Sequence, residues 1–133
     1  MSISEINLIL PTVPSLNHVY RNVRINLRIL TPAGKVWKDH VRYIAIQERQ
    51  KQLWQVSKLE KLVMELRFFW PDKHRRDCDN CLKLLSDTLE EILYEDDRWL
   101  LPRVIDWNID KENPRTEVKL WRLADGNKEN SHI

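Results

Sequence analysis

PDKHRRDCDNCLKLLSDTLEEILYEDD, residues 71–97, is the stretch that decides the fold of this chain and contains most of its reactive side chains. Apolar side chains recur in it at intervals of three and four residues, the spacing of an amphipathic helix: Leu82, Leu85, Leu89, Ile92 and Leu93. One face of this helix is therefore expected to lie in the core. The turn from Pro71 to Arg76 leads into the helix, and Asp79 or Asn80 is expected as its N-cap.

Two carboxylates, Asp77 and Asp79, stand at the start of this helix, and Lys83 follows Asp79 by one helical turn. In an extended approach to the helix, Asp77 and Asp79 leave the same side of the chain, so they are able to share a cation. Oxygen ligands without Cys or His suit Mg²⁺ or Mn²⁺. A further acidic run follows the helix: Glu95, Asp96 and Asp97. These carboxylates, together with Lys83, suit metal-assisted phosphodiester hydrolysis.

Basic side chains precede the two acids directly, namely Lys73, Arg75 and Arg76, with His74 among them. Guanidinium and ammonium groups in this position are suited to holding a phosphate backbone. A structural explanation stays open for the same residues, because acids complement the helix dipole at N-termini and exposed basic turns are common on protein surfaces.

Length and composition indicate one soluble globular domain, since 133 residues with 42% apolar and 32% charged side chains are enough for a core. No apolar run approaches the ~18 residues of a membrane span, and no signal peptide is recognisable, so a cytoplasmic protein is expected. Charge is unevenly distributed: residues 1–60 carry nine Lys or Arg against four acids, whereas residues 84–113 carry three against nine. A basic DNA-facing half and an acidic metal-binding segment fit this asymmetry.

The order of predicted elements is strand, strand or arm, helix, strand, helix, strand, strand. It indicates an α+β domain over residues 1–123, with two helices packed on a small mixed or mostly antiparallel sheet, and a polar flexible tail at 124–133. Thr31 and Pro32 are expected to start the first helix. Three tryptophans are expected in the core, whereas Trp99 either packs or contacts a base: Trp37, Trp70 and Trp107.

The two cysteines, Cys78 and Cys81, have a C-x-x-C spacing with His74 upstream. A zinc or redox site is therefore an alternative, although no second pair of ligands is present in the sequence. The other explanation is that both thiols are small buried hydrophobic groups.

Three segments together resemble the RusA family of Holliday junction resolvases, phage and prophage endonucleases that cut four-way DNA junctions in recombination and repair. LPTVPSLNHVYRN at 10–22 resembles the family's opening motif, and TPAGKVWKDHV at 31–41 resembles its turn into the first helix. RRDCDNCLKLLSDTLEEILYEDD at 75–97 resembles its acidic motif with the later pair of aspartates.

The resemblance implies that Asp77, Asp79 and Asp97 bind catalytic Mg²⁺, for which Mn²⁺ is a possible substitute, with Asp96 as the alternative to Asp97. It places Lys83 at the position of the functional lysine, and three basic residues where DNA is contacted: Lys73, Arg75 and Arg76. It also implies a RusA-like fold, a homodimer, branched DNA as substrate, and paired symmetric nicks that leave 5′-phosphate ends. A junction-binding module without catalysis is the alternative function; it would bind with strong salt dependence and ignore Mg²⁺.

Overall fold

The computed structural model describes residues 3–14, 20–24 and 27–123. Ser15 to Val19 of the N-terminal motif and the predicted tail at 124–133 lie outside the described residues. The elements follow one another as β1 (Glu5–Leu10), β2 (Tyr20–Arg24), β3 (Leu27–Leu30), α1 (Pro32–Lys51), β4 (Leu62–Trp70), α2 (Cys78–Leu89), a 3₁₀ turn (Asp97–Trp99), β5 (Leu100–Ile109) and β6 (Arg115–Arg122). No helix in these ranges has the length and apolar character that crossing a membrane requires.

Four strands form one mixed sheet in the order β1-β6-β4-β5, while β2 and β3 pair separately as an antiparallel hairpin. Strand β4 is central, antiparallel to β6 and parallel to β5. A parallel pair needs a crossover connection, and the segment containing α2 provides it. With two helices among the described residues, the α+β fold with a mixed sheet is confirmed.

Alternating apolar residues put one face of β4 in the core, where all five are buried: Leu62, Met64, Leu66, Phe68 and Trp70. Helix α1 begins as predicted, because the Thr31 hydroxyl accepts a hydrogen bond of 2.9 Å from the Gly34 N–H and Pro32 takes the first helical position. The opposite end of α1 contributes Arg49, which donates to the Ile92 carbonyl at 3.0 Å. These contacts fix α1 against the segment that follows α2.

The predicted core position of Trp107 is wrong. The side chain is 57% exposed, and its neighbours Ile105 and Ile109 are exposed as well, whereas Trp37 and Trp70 are buried as expected. The reason is that β5 is an edge strand of the described sheet, and its residues from Ile105 onward are left exposed by the described part of the chain. The prediction of a single strand or arm between Tyr20 and Leu30 is also wrong, because two paired strands, Tyr20–Arg24 and Leu27–Leu30, lie there.

Candidate active site

The start of α2 is organised by Asp77, and not by Asp79 or Asn80 as predicted. Asp77 has extended backbone geometry and is the N-cap; its Oδ1 accepts from the Asp79 N–H at 3.0 Å and the Asn80 N–H at 3.2 Å. Its other oxygen accepts from the Asn80 side chain at 3.2 Å. Because Cys78 is already helical, Asp79 lies inside the first turn and the two aspartates do not share an extended segment.

Asp77, Asp79 and Lys83 are nevertheless all exposed at this end of α2. Asp79 and Lys83 are four residues apart within one helix, so they lie on the same face. Among the described residues, no carboxylate forms an ion pair with Lys83. The helix N-terminus therefore presents two carboxylates and an uncommitted ammonium group to solvent.

The loop between β4 and α2 is held in shape by Asp72 and Arg76. The Arg76 guanidinium pairs with the Asp72 carboxylate at 2.7 Å and lies 4.8 Å from the centre of the Trp70 ring. The Asp72 carboxylate also accepts from the His74 N–H at 3.0 Å, and the hydrogen bond from Arg76 lowers the pKa of Asp72. Arg76 is thus engaged within the protein, whereas Lys73 and Arg75 are exposed.

A second group of acids lies beyond the other end of α2, and we call Glu90, Asp96 and Asp97 the distal acidic cluster. Each offers a carboxylate oxygen, and these oxygens all lie within 4.8 Å of one another. The Asp97 N–H donates to Glu90 at 3.3 Å, which connects the loop to the helix end. Partial burial raises the pKa of Glu90, and the charges of Asp97 and Asp96 raise it further.

The two aspartates of this cluster differ in how their oxygens are used. One Asp96 oxygen accepts from the Arg98 N–H at 2.9 Å and the other faces the Arg98 guanidinium at 3.5 Å. Asp97 is exposed, and its carboxylate accepts no hydrogen bond from the described part of the chain. Asp97 therefore has the more available ligand oxygens.

Tyr94 supports the distal acidic cluster from inside the protein. It is buried, and its hydroxyl donates to the Ser86 carbonyl at 2.5 Å. Burial raises the pKa of Tyr94 well above its ordinary value, with nearby Asp97 and Glu90 adding to the shift. The chain reverses at Glu91, whose φ of 73° is in the left-handed region, and this reversal returns the chain past the helix end.

The structure brings Asp97 to Glu90 and Asp96, and it does not bring Asp97 to Asp77 and Asp79. Ligands of one Mg²⁺ sit at 2.0–2.1 Å from the ion, so their oxygens lie within roughly 4.2 Å of each other. Among the described residues, the trio of Asp77, Asp79 and Asp97 does not form a group within 4.8 Å. A shared ion therefore requires the two ends of the site to approach each other.

Glu90 was missed by the sequence analysis. Glu90 lies outside the predicted apolar stripe, as an ordinary solvated residue would. Its proximity to Asp96 and Asp97 results from the chain reversal at Glu91. A weak signal was present, because four further acids follow Glu90 within seven residues: Glu91, Glu95, Asp96 and Asp97.

The cysteines fit the structural explanation better than the zinc or redox alternative. Both are free thiols, Cys81 is buried, and burial raises its pKa to about 11. Burial also raises the pKa of Cys78, and the negative charges of Asp77 and Asp79 raise it further. A zinc ligand must be a thiolate, and these environments disfavour that form.

One comparison with known proteins identifies a relationship. The family model described as Endodeoxyribonuclease RusA matches residues 10–121 of the 133. The match includes the basic loop, both ends of α2 and the sheet from β4 to most of β6. No curated protein matches the chain.

Proposed function

This chain belongs to the RusA family of endodeoxyribonucleases, and we propose from that premise that it is a Mg²⁺-dependent enzyme that resolves four-way DNA junctions. Family membership implies Holliday junction resolvase activity, and therefore branched DNA as the substrate. The proposal is assigned to specific residues on one observation. At the exposed start of α2, Asp77, Asp79 and Lys83 adjoin a basic loop.

The acids of this chain fit a divalent ion chemically, since the exposed candidates are oxygen donors of the kind that Mg²⁺ prefers. We assign Asp77, Asp79 and Asp97 as its ligands. Asp97 lies beyond the opposite end of α2 from Asp77 and Asp79, so an ion bound by all three requires a change from the described arrangement of one chain.

The bound ion supplies Lewis-acid polarisation of the scissile phosphate and a water of lowered pKa. Lys83 stabilises the negative charge that develops on the phosphate during attack. Lys73 and Arg75 hold flanking phosphates, and Arg76 adds positive charge to the same surface while keeping the loop in shape.

The active unit in this proposal is a homodimer, acting on DNA in the cytoplasm in phage or prophage recombination and repair. A four-way junction has two-fold symmetry, and one chain supplies one set of Asp77, Asp79 and Asp97. Two copies related by a two-fold axis provide two matched sites and hence paired nicks. Water attack on phosphorus with the 3′ oxygen as leaving group gives 5′-phosphate and 3′-hydroxyl ends.

The test incubates the protein with a synthetic four-way junction and with a linear duplex of the same arm sequences, each with Mg²⁺ and with chelator. The Asp77→Asn variant is the sharpest probe, because asparagine caps helices as well as aspartate and leaves the fold in place. Asp39→Asn, at an exposed acid paired to Lys35 on α1, is the matched control.

We expect symmetric cuts of the junction by the wild type and by Asp39→Asn only with Mg²⁺. Asp77→Asn is expected to bind the junction as the wild type does and to cut it far more slowly. Equal cutting of the junction and the duplex would contradict the structure selectivity. Salt-sensitive junction binding by the wild type, without Mg²⁺-dependent cutting, would favour the binding-module alternative.

A further inference from the structure

A pocket of about 400 Å³ lies beside the basic loop, on the side of the sheet that carries the core. Its floor contains Trp70, Trp107 and Ile109, and its wall contains Lys73, Arg75 and Arg76. The volume falls within the range of small-molecule sites, about 300–1,000 Å³. The pocket therefore has room for a planar ring and combines an aromatic floor with a positively charged wall.

The strand register explains why an indole is presented here. Phe68 pairs with Trp107 and Trp70 pairs with Ile109 across the parallel strands β4 and β5, so these side chains project from the same face of the sheet. Phe68 and Trp70 are buried and stack on each other with ring centres 4.9 Å apart. The face of Trp107 is still available, because no ring or guanidinium of a described residue stacks on it.

The positive charges near Trp107 favour a ligand that carries negative charge. Lys73 and Arg75 are exposed, and Arg76 is neutralised by Asp72, so the wall keeps an excess of positive charge. A positively charged wall beside a free aromatic face is the combination with which proteins hold unpaired nucleotides, through phosphate contacts and base stacking.

The position of the pocket relates it to the cutting site. Cys78, the first residue of α2, lines the pocket and directly follows the N-cap Asp77. A nucleotide in the pocket would thus lie next to the start of α2. Bases that are unpaired or strained at a branch point leave the stack at the lowest cost.

We propose that this pocket binds one unstacked nucleobase of the DNA at or beside the branch point, with Trp107 as the stacking surface. This inference rests on the proposed function, and it adds a recognition element that neither the acids nor Lys83 provide. Lys73 and Arg75 hold the phosphates on either side of that nucleotide.

The test measures dissociation constants by fluorescence anisotropy in chelator, where the proposal expects no cutting. The ligands are an intact four-way junction, junctions with one abasic analogue at each branch-point position in turn, a duplex with a single unpaired nucleotide, and a plain duplex. Trp107→Ala is compared with Trp107→Phe and Trp107→Leu. Tyr43→Ala is the matched control, because Tyr43 is an aromatic residue of α1 with a similar exposure of 60%.

Trp107→Ala is expected to weaken binding of the intact junction by roughly 5- to 150-fold, the cost of one lost base stack. Trp107→Phe should lose much less than Trp107→Leu, which keeps apolar bulk without an aromatic ring. At one abasic position at least, the wild type and Trp107→Ala should bind equally well. Tyr43→Ala and the plain duplex should show no change.

An equal loss on intact and on every abasic junction, or no loss at all, would overturn the pocket assignment. So would conversion of a dimer to monomers by Trp107→Ala in sedimentation velocity, because the surface would then be an interface between two copies. A wild type that does not prefer junctions, yet binds the unpaired nucleotide through Trp107, would overturn the resolvase proposal and support the base pocket.

Discussion

The two ends of helix α2 both carry acids, but in opposite electrostatic surroundings. At the start, Asp77 and Asp79 are stabilised by the positive end of the helix dipole and adjoin a basic loop. Beyond the other end, the distal acidic cluster meets the negative end of the dipole, and the crowding contributes to the raised pKa of Glu90. The start of α2 therefore suits a phosphate together with a cation, whereas the distal cluster suits a cation alone.

This difference suggests a division of roles. The start of α2 is electrostatically satisfied without an ion, and its geometry is fixed by the hydrogen bonds of Asp77. The distal acidic cluster holds three carboxylates close together, and of these only Asp96 is paired with a cation, Arg98. In the proposed enzyme, Asp97 is the residue that connects the two ends.

The largest of these effects is expected on the cleavage rate, from replacing Lys83, which lies between the two ends of α2. Lys83→Ala should cut junctions about a hundred- to a thousandfold more slowly, a loss of roughly 2.7–4 kcal/mol, because a charge that stabilises the transition state is removed. Junction binding should stay near the wild-type value. Single-turnover cleavage and anisotropy measure the two quantities, with Lys61→Ala, an exposed lysine outside α2, as control. Cutting at the wild-type rate would remove Lys83 from the mechanism.

A smaller effect should separate the structural role of Asp77 from its chemical role. Asp77→Ala should lower the free energy of unfolding by about 1 kcal/mol, since the N–H groups of Asp79 and Asn80 lose their acceptor. Asp77→Asn should leave stability nearly unchanged. Urea denaturation followed by circular dichroism gives both values. If asparagine destabilises as much as alanine, the cap does not explain the position of this carboxylate.

The smallest effect concerns the distal cluster and its pH dependence. Because the pKa of Glu90 is raised in the folded protein, ionised Glu90 opposes folding once the pH exceeds its unfolded pKa. Without divalent ions, Glu90→Gln should therefore be more stable at pH 7 by a few tenths to about 1 kcal/mol. The difference should vanish below about pH 4, where Glu90 is protonated in both states.

Urea denaturation at pH 7 and pH 4 tests this, with Glu48→Gln on α1 as a second acid variant. A variant less stable than the wild type at pH 7 without Mg²⁺ would mean that the cluster is not under charge repulsion.

Local patterns predicted much of this fold. Alternating residues in β4, the apolar stripe of α2 and the Thr31 cap depend on neighbours in sequence, and the structure confirms them. The exception is the end of the stripe, because α2 ends at Leu89 and the buried Ile92 and Leu93 lie beyond it. The prediction that Trp107 lies in the core was wrong because alternation indicates which residues share a face of the sheet, but not whether other residues cover that face. Coverage depends on where β5 lies in the sheet, and an edge strand can leave even a tryptophan exposed beside a buried neighbour.

The sequence indicates which side chains are candidates for the site, and that assignment stays a prediction; it does not indicate how they are arranged. The spacing puts Asp97 in the loop beyond the far end of α2, and only the family resemblance implied that it shares an ion with Asp77 and Asp79. The reversal at Glu91 instead places it against Glu90, and the backbone geometry that causes this reversal has no clear sequence signal. Sequence spacing indicates acids on one helix face, but not which acids a following loop will meet.

The most direct test of the account is a double-mutant cycle between Asp77 and Asp97, measured by single-turnover junction cleavage in Mg²⁺. Asp77→Asn, Asp97→Asn and the double variant are compared with the wild type, and anisotropy verifies that all four bind the junction. If both carboxylates serve one ion, the double variant should cut no more than about threefold more slowly than the slower single variant. If the two losses multiply, the carboxylates act independently and the shared metal site is contradicted.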